Sequence, residues 1–279
     1  MLYLVATPIG NLKDISQRAK EVLSSVPLIA CEDTRTTKQL LTLLGIAAPA
    51  LTAYHQYNAE KACPGLVEKL KQKTDIALVS DAGMPLISDP GYKLVQACYE
   101  NDIPVTTIPG ANALLCALQL SGLPSDKFYF GGFLSPKTGA RCQALESVRQ
   151  LEATLIFYEA PHRILGLLGD IHKTLGNRQI ALVREITKKF ESVERGACAD
   201  LLEKFTKEGV PKGEMVVVID RTPGVPATAS TDVLDVLRHL LKFMPLKQAV
   251  DAVAKATKLP HTQVYKWALE EKKNNADEL

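Results

Sequence analysis

Residues Ile76 to Gly91 read Ile-Ala-Leu-Val-Ser-Asp-Ala-Gly-Met-Pro-Leu-Ile-Ser-Asp-Pro-Gly, an aliphatic run that stops at once in glycine, proline and carboxylates. Four consecutive apolar residues without alternation suit a strand covered on both faces, as in a parallel sheet. Gly83, Pro85, Pro90 and Gly91 end it in a turn. The same grammar returns upstream and downstream. Leu2 to Ala6 runs into Thr7-Pro8-Ile9-Gly10-Asn11, Leu28 to Cys31 into Glu32-Asp33-Thr34-Arg35-Thr36, and Val105 to Ile108 into Pro109-Gly110-Ala111-Asn112. Ala50 to Tyr54 is a weaker strand of the same kind. Between the first two, Ile15, Ala19, Val22, Leu23 and Val26 recur at helical spacing, with Asp14 at the expected N-cap. Strands alternating with amphipathic helices predict βαβ units and a parallel sheet.

After Gly122-Leu123-Pro124 the pattern changes, with strands predicted at Phe128–Phe133, Thr154–Tyr158, Ile180–Arg184, Phe190–Arg195 and Met215–Ile219. The short interval around Thr187 to Lys189 predicts a hairpin, hence a mixed sheet. The fold class is therefore α/β: one domain over 1–122, mainly parallel, and a second over 123–221, mixed. Residues 222–230 carry prolines and a glycine without periodicity and read as an extended linker ending at a cap, Ser230 or Thr231. Apolar residues then recur at helical spacing through 231–279, interrupted at Leu259-Pro260, as in a helix-turn-helix or another small bundle.

The chain has 279 residues, 46% apolar and 23% charged, the composition of a globular protein with a real core. A net charge of +2 argues against polyanion binding by bulk charge. From Arg238 to Leu269, however, Arg238, Lys242, Lys247, Lys255, Lys258 and Lys266 face a single acid, Asp251. This is a local basic patch. The six cysteines form no CxxC pair and read as buried thiols in a reducing compartment. Neither a secretory signal nor a spanning helix is expected, since Pro8 stops the first apolar run and Pro104, Pro109, Gly110 and Pro124 break the longest uncharged one. The expected location is the cytoplasm, with no metal site.

In open parallel sheets ligands sit at the carboxyl ends of strands, where the unusual residues of this chain cluster, Tyr158-Glu-Ala-Pro-His-Arg163 among them. No GxxxxGK[ST] or GxGxxG occurs, so phosphate-cradling loops lose support. Ser80 to Pro85 offers small residues and a carboxylate, while Pro109-Gly110 opens a helix whose free N–H groups favour an anionic group. A zwitterionic ligand suits that lining.

LYLVATPIGNLKDIS, ACEDTRTTKQLL, ALVSDAGMPLISDPGY, IPGANAL, SGLPSDKFYFGGFLSPK, TLIFYEAPHRI, ALVREITKKFE and KGEMVVVI follow in order across residues 2–219. Together they closely resemble the tetrapyrrole-methylase-like (class III) S-adenosylmethionine methyltransferases, and within these the bacterial enzymes that methylate a cytidine 2′-hydroxyl in the decoding region of 16S ribosomal RNA. The resemblance implies two α/β domains with S-adenosylmethionine folded into the cofactor cleft between them, no metal, and a homodimer acting on the small ribosomal subunit or its 16S rRNA, without DNA or membrane partners. It places cofactor contacts at Pro8, Ser80, Asp81, Ala82, Gly83, Met84, Pro109, Gly110, Ala111 and Asn112, and in the second domain at Tyr158, Glu159, Arg184, Gly213 and Met215. Two positions depart from the family pattern: Ala111 stands where proline is common, and Met84 where threonine is common. Neither removes a needed charge.

For transfer to a ribose hydroxyl, Glu32 or Asp33 is the candidate proton acceptor and Arg35 the candidate phosphate clamp, against the plainer reading of an ion-pair network fixing a loop. Arg163 and Lys188, with Lys247, Lys255 and Lys266 of the basic module, are the candidate substrate contacts; solvated surface charge is the alternative. Trp267 is read as helical core rather than a stacking platform. Two other functions compete: a tetrapyrrole C-methyltransferase of the same fold, and a non-catalytic nucleic-acid-binding regulator built on the terminal helices.

Overall fold

A computed structural model of the chain describes residues 1–221, 231–257 and 259–274, which fall into two separate units divided after Arg221. In the first unit the chain runs β1 (Leu2–Val5), α1 (Gln17–Ser25), β2 (Leu28–Cys31), α2 (Thr34–Leu43), β3 (Ala50–Ala53), α3 (Ala59–Lys71), β4 (Ile76–Val79), α4 (Tyr92–Glu100), β5 (Val105–Ile108) and α5 (Ala113–Ser121). These five strands form one parallel sheet in the order β3-β2-β4-β1-β5. Its central strands β2 and β4 are buried throughout because helices cover both faces, which is why they are aliphatic without alternation. β3 lies at the edge and is partly exposed, hence its weaker sequence. The cap of α1 is Ser16, whose hydroxyl accepts from the Ala19 amide, and not Asp14. Asp14 instead closes a single 3-10 turn over Leu12–Asp14 that Asn11 caps.

The chain continues through β6 (Phe128–Phe133), α6 (Thr138–Ser147), β7 (Thr154–Glu159), α7 (Ile164–Leu175), β8 (Gln179–Arg184), β9 (Ser192–Ala197), α8 (Cys198–Glu208) and β10 (Met215–Ile219). The second sheet has the order β6-β7-β10-β8-β9, with β6 and β7 parallel and every other pair antiparallel. It is the mixed sheet the short interval predicts. β9 begins two residues later than the expected Phe190, because the Thr187 amide donates to the Glu191 carboxylate and the Glu191 amide to the Lys188 carbonyl, closing a turn with Phe190 exposed. Alternation along the strands divides the core: Leu155, Phe157 and Leu182 pack with α7 and α8, while Ile156, Ala181, Val183 and Val216 pack with α5. Helix α5, which follows β5 of the first sheet in the chain, thus packs on the second sheet. Arg195 at the other end of the second sheet donates to the Ser121 and Leu120 carbonyls at its close.

The second unit holds α9 (Thr231–Leu240), α10 (Leu246–Thr257) and α11 (His261–Asn274) around Leu237, Ala249, Val250, Val253, Val264 and Ala268. Trp267 packs against that core. Arg238 of α9 makes a two-pronged pair with Glu271 of α11 at 2.7 and 2.8 Å, tying the first helix to the last. The expected linker over 222–230 with its cap Ser230, Lys258 of the basic patch and the acidic end after Asn274 lie outside the described residues. All six cysteines are free; Cys31, Cys98 and Cys198 are buried, whereas Cys63, Cys116 and Cys142 are only half-buried. No described helix is long and apolar enough to cross a membrane.

Candidate active site

The loops after β1, β2, β4 and β5 are stitched together at the carboxyl end of the first sheet. Thr7 and Gly83 exchange backbone hydrogen bonds of 2.8 and 3.1 Å, and the Asp33 amide donates to Asp81 Oδ1 at 3.2 Å. Gly83 has a φ of +81°, so its turn needs the left-handed conformation that glycine adopts freely. At Gly110 a Cβ would stand 2.9 Å from the Ala6 side chain, so the loop after β5 approaches β1 only without one. Asn112 then caps α5 by accepting from the Leu115 amide.

Above these loops opens a cavity of about 300 Å³. Ile9, the segment from Asp81 to Asp89, and Asn112 with Ala113 form one wall; Phe133, Tyr158, Ile186, Glu214, Met215 and Val216 of the second sheet form the other. The size and the apolar lining with a few convergent polar groups are those of a small-molecule site. Its electrostatics are one-sided. Among the described residues neither Asp81 nor Asp89 has an ion-pair partner. Burial pushes Asp89 up to about 6, with Glu32 and Asp81 adding to the effect and a Ser80 hydrogen bond opposing it. Burial likewise raises Asp81 and Glu32 above the usual carboxylate range. Burial also pushes the Tyr158 phenol up to about 12, so it stays a neutral donor. Carboxylates without ion-pair partners in an apolar hollow call for a cation. Among the described residues no group of His, Cys, Asp and Glu is arranged to hold a metal, so an organic cation is the better match.

Of the residues singled out in the sequence, Asp81, Ala82, Gly83, Met84, Asn112, Tyr158 and Met215 line this cavity. Ser80 lies behind the wall, its hydroxyl donating to the Ala82 and Gly83 carbonyls. Pro109, Gly110 and Ala111 support the start of α5, Ala111 packing with the shared core. Pro8 borders a neighbouring hollow. Glu159 follows Tyr158 on β7 and so faces the opposite side; there it is buried, with Oε1 accepting from the Ala160 amide and lying 3.0 Å from Arg163 Nε. Arg163 also donates to the Leu134 carbonyl at 2.6 Å. Arg184 is tied to Ser192 and the Lys212 carbonyl, and Gly213 lies against the Glu185 side chain. Lys188 bridges Glu185 and Glu214 at 3.2 and 2.8 Å, which brings it to the cavity rim.

Asp33 caps α2 and grips the Arg35 guanidinium with both oxygens, which holds its carboxyl down at about 2. That leaves Glu32 as the less committed of the two acids. Lys247, Lys255 and Lys266 are exposed on the three-helix unit. Asp89 and Ile186 line the cavity but are not among the residues singled out in the sequence, whereas Glu214 lies within the Gly213-Glu214-Met215 stretch that the resemblance points to. The Ser-Asp-Pro-Gly turn carrying Asp89 was the one available signal for the first two.

The model of the Tetrapyrrole (Corrin/Porphyrin) Methylases matches residues 1–202. The chain belongs to this family. A second model, the RsmI C-terminal HTH domain, matches residues 227–272. Among family relatives, Ribosomal RNA small subunit methyltransferase I of Synechocystis sp. is 47% identical over 274 residues, covering 97% of this chain and 98% of its own. The protein of the same name from Escherichia coli O157:H7 is 44% identical over 272 residues, covering 97% and 95%. Solved structures share the fold at much lower identity. Diphthine synthase aligns with a TM-score of 0.62 at 16% identity, over 79% of this chain and 90% of that one. Uroporphyrin-III C-methyltransferase from Thermus thermophilus, complexed with S-adenyl homocysteine, aligns with a TM-score of 0.54 at 20% identity, over 78% and 96%. Membership makes this chain a methyltransferase.

Proposed function

We propose that the chain transfers a methyl group from S-adenosylmethionine to the 2′-hydroxyl of a cytidine in the decoding region of 16S ribosomal RNA. The observation that carries the RNA assignment is the identity of 44–47%, over nearly the whole chain, with proteins named as small-subunit rRNA methyltransferases. The cavity fits the donor chemically: two carboxylates without cationic partners stand in an apolar hollow, and the first-turn amides of α5 lie beside it.

S-adenosylmethionine supplies an electrophilic methyl group on a positively charged sulfur. Asp81 and Asp89 would present negative charge to the positive centres of that ligand, and the amides at the start of α5 would suit its carboxylate. Ile9, Ile186 and Val216 keep water from the reacting end. Arg35, held in orientation by Asp33, positions an acceptor-strand phosphate. Glu32, whose acidity burial and Asp81 weaken, would take the hydroxyl proton as the oxygen bonds to the methyl carbon and the carbon–sulfur bond breaks, the electron pair staying on the thioether sulfur of the departing S-adenosylhomocysteine. Lys247, Lys255 and Lys266 of the helical unit add a sequence-tolerant phosphate grip, and the enzyme works as a cytoplasmic homodimer.

Incubation with methyl-labelled S-adenosylmethionine and unmethylated small subunits tests this reading, with the label mapped to nucleotide and to ribose or base. Label on a base, or in no small-subunit RNA, overturns it.

A further inference from the structure

Beside the main cavity lies a second hollow of about 210 Å³, formed by Pro8, Gly10 and Leu12 of the loop after β1 and by Thr36, Gln39 and Leu43 of α2. Asp81 borders both spaces, so they meet at a single carboxylate. From Gln39 and Leu43 a shallower trough continues past Arg35, Lys38 and Thr42. These α2 positions recur at three- and four-residue steps and make one outward stripe. Along it the chemistry is ordered: the carboxylate at the methyl-transfer cavity, then an apolar floor with an amide and a hydroxyl, then two cations. Helix α2, Thr-Arg-Thr-Thr-Lys-Gln-Leu-Leu-Thr-Leu, contains no acid.

We infer that this hollow holds the base of the nucleotide next to the methylated one, with its backbone running along the α2 stripe. The inference rests on the RNA-methyltransferase reading and deepens it. Leu12 and Leu43 are exposed apolar side chains with no folding reason to face solvent here, and they suit the face of an unstacked base. Gln39 brings both a donor and an acceptor, and Thr36 a hydroxyl, which is what reading a base edge requires. Arg35 has a 90% exposed side chain although Asp33 holds its Nε and Nη2. Its Nη1 hydrogens remain available to a phosphate, and the Asp33 pair fixes where they point. Such a site demands a single-stranded segment with splayed bases, because a paired base offers neither its face nor its Watson–Crick edge.

Two exposed substitutions test this, Leu43→Glu and Gln39→Ala, with Tyr99→Glu on α4 as a control at an equally exposed apolar position. The full-length protein is measured for methylation of unmethylated small subunits, for S-adenosylmethionine affinity by calorimetry, and for crosslinking to small-subunit RNA carrying 4-thiouridine. Both variants should raise KM for the subunit by about tenfold or more, the size of a lost base contact, and leave S-adenosylmethionine affinity unchanged, while Tyr99→Glu does neither. The wild-type crosslink should fall in the peptide from Thr34 to Leu43. A wild type that methylates the subunit, with KM unchanged in both variants and crosslinks elsewhere, overturns the subsite and leaves the RNA reading standing. A wild type that neither methylates nor crosslinks overturns both. Loss of oligomeric mass in Leu43→Glu with unchanged RNA affinity assigns the hollow to a second copy of the chain and overturns the subsite.

Discussion

Replacing Asp89 by asparagine should make the protein more stable in alkali and less able to hold its cationic ligand. The side chains are nearly isosteric, so the change removes charge and little else. In the folded protein burial and the neighbouring Glu32 and Asp81 lift this carboxyl from its ordinary 3.8 to about 6. At full weight a gap of that size corresponds to ~3 kcal/mol against the ionised form. Asp89 keeps partial solvent contact, which reduces the figure to ~1–2 kcal/mol. The sign follows from linkage: a carboxyl raised on folding costs nothing below pH 3.8, where both states are protonated, and costs most above 6, where the folded state must carry the charge. At ~2–4 °C per kcal/mol for a unit of this length, Asp89→Asn should raise Tm by roughly 2–8 °C at pH 8 and by almost nothing at pH 4. Scanning calorimetry of both proteins at pH 4, 6 and 8 reads this directly. The ligand supplies a second readout. In the wild type the Tm gain from S-adenosylmethionine should grow as pH passes 6, and in the variant it should stay flat. An equal Tm gain at pH 4 and 8, or a variant less stable at pH 8, refutes the reasoning, because either outcome means that Asp89 is not a strained charge.

Arg141→Ala should cost ~3–5 kcal/mol in urea titrations, because Arg141 and Asp170 are both buried and joined at 2.6 Å between α6 and α7, and truncation leaves the aspartate alone; a loss under ~1 kcal/mol, the range of exposed pairs, contradicts this. Gly83→Val should abolish S-adenosylmethionine binding with the far-ultraviolet circular dichroism retained, since a β-branched residue resists a φ of +81° in the turn that lines the cavity; unchanged affinity removes that turn from the site. Ending the chain after Arg221 should leave a folded unit that still binds S-adenosylmethionine. If Lys247, Lys255 and Lys266 each neutralise one phosphate, the salt slope of RNA binding should then fall by about 2; an unchanged slope assigns those lysines to solvation.

Much of this molecule was legible before any fold was described. Leu28–Cys31, Ile76–Val79 and Met215–Ile219 announce buried strands because covering both faces of a strand leaves no position for a polar residue. Gly83 and Gly110 mark the turns because a left-handed φ in one case and contact with Ala6 in the other exclude a side chain. β9 was less legible: Ser-Val-Glu-Arg-Gly-Ala is a partly exposed edge strand, and its start is set by a turn through Glu191 that has no periodicity to read. The N-cap of α1 falls on Ser16 rather than Asp14 for a similarly local reason, since Asn11 spends Asp14 in its own short turn.

The sequence by itself determined which segments are strands and helices, which of them are buried and which loops are built for close approach, because these depend on neighbours a few residues away. Tertiary structure alone decided how the loops share the work. Asp33 and Glu32 are adjacent in the chain, yet one is neutralised by Arg35 and the other is pressed by Asp81, forty-nine residues further on. Tyr158 lines the cavity and Glu159 does not, because the register of β7 between β6 and β10 turns one inward and the other away. Asp89 meets Ile186 and Glu214 across the cavity only because α5, which follows β5 in the chain, packs on the second sheet together with Ile9 of the loop after β1. A charge acquires an unusual acidity from whatever surrounds it, and those surroundings are assembled by contacts between elements far apart in sequence, which spacing along the chain does not record.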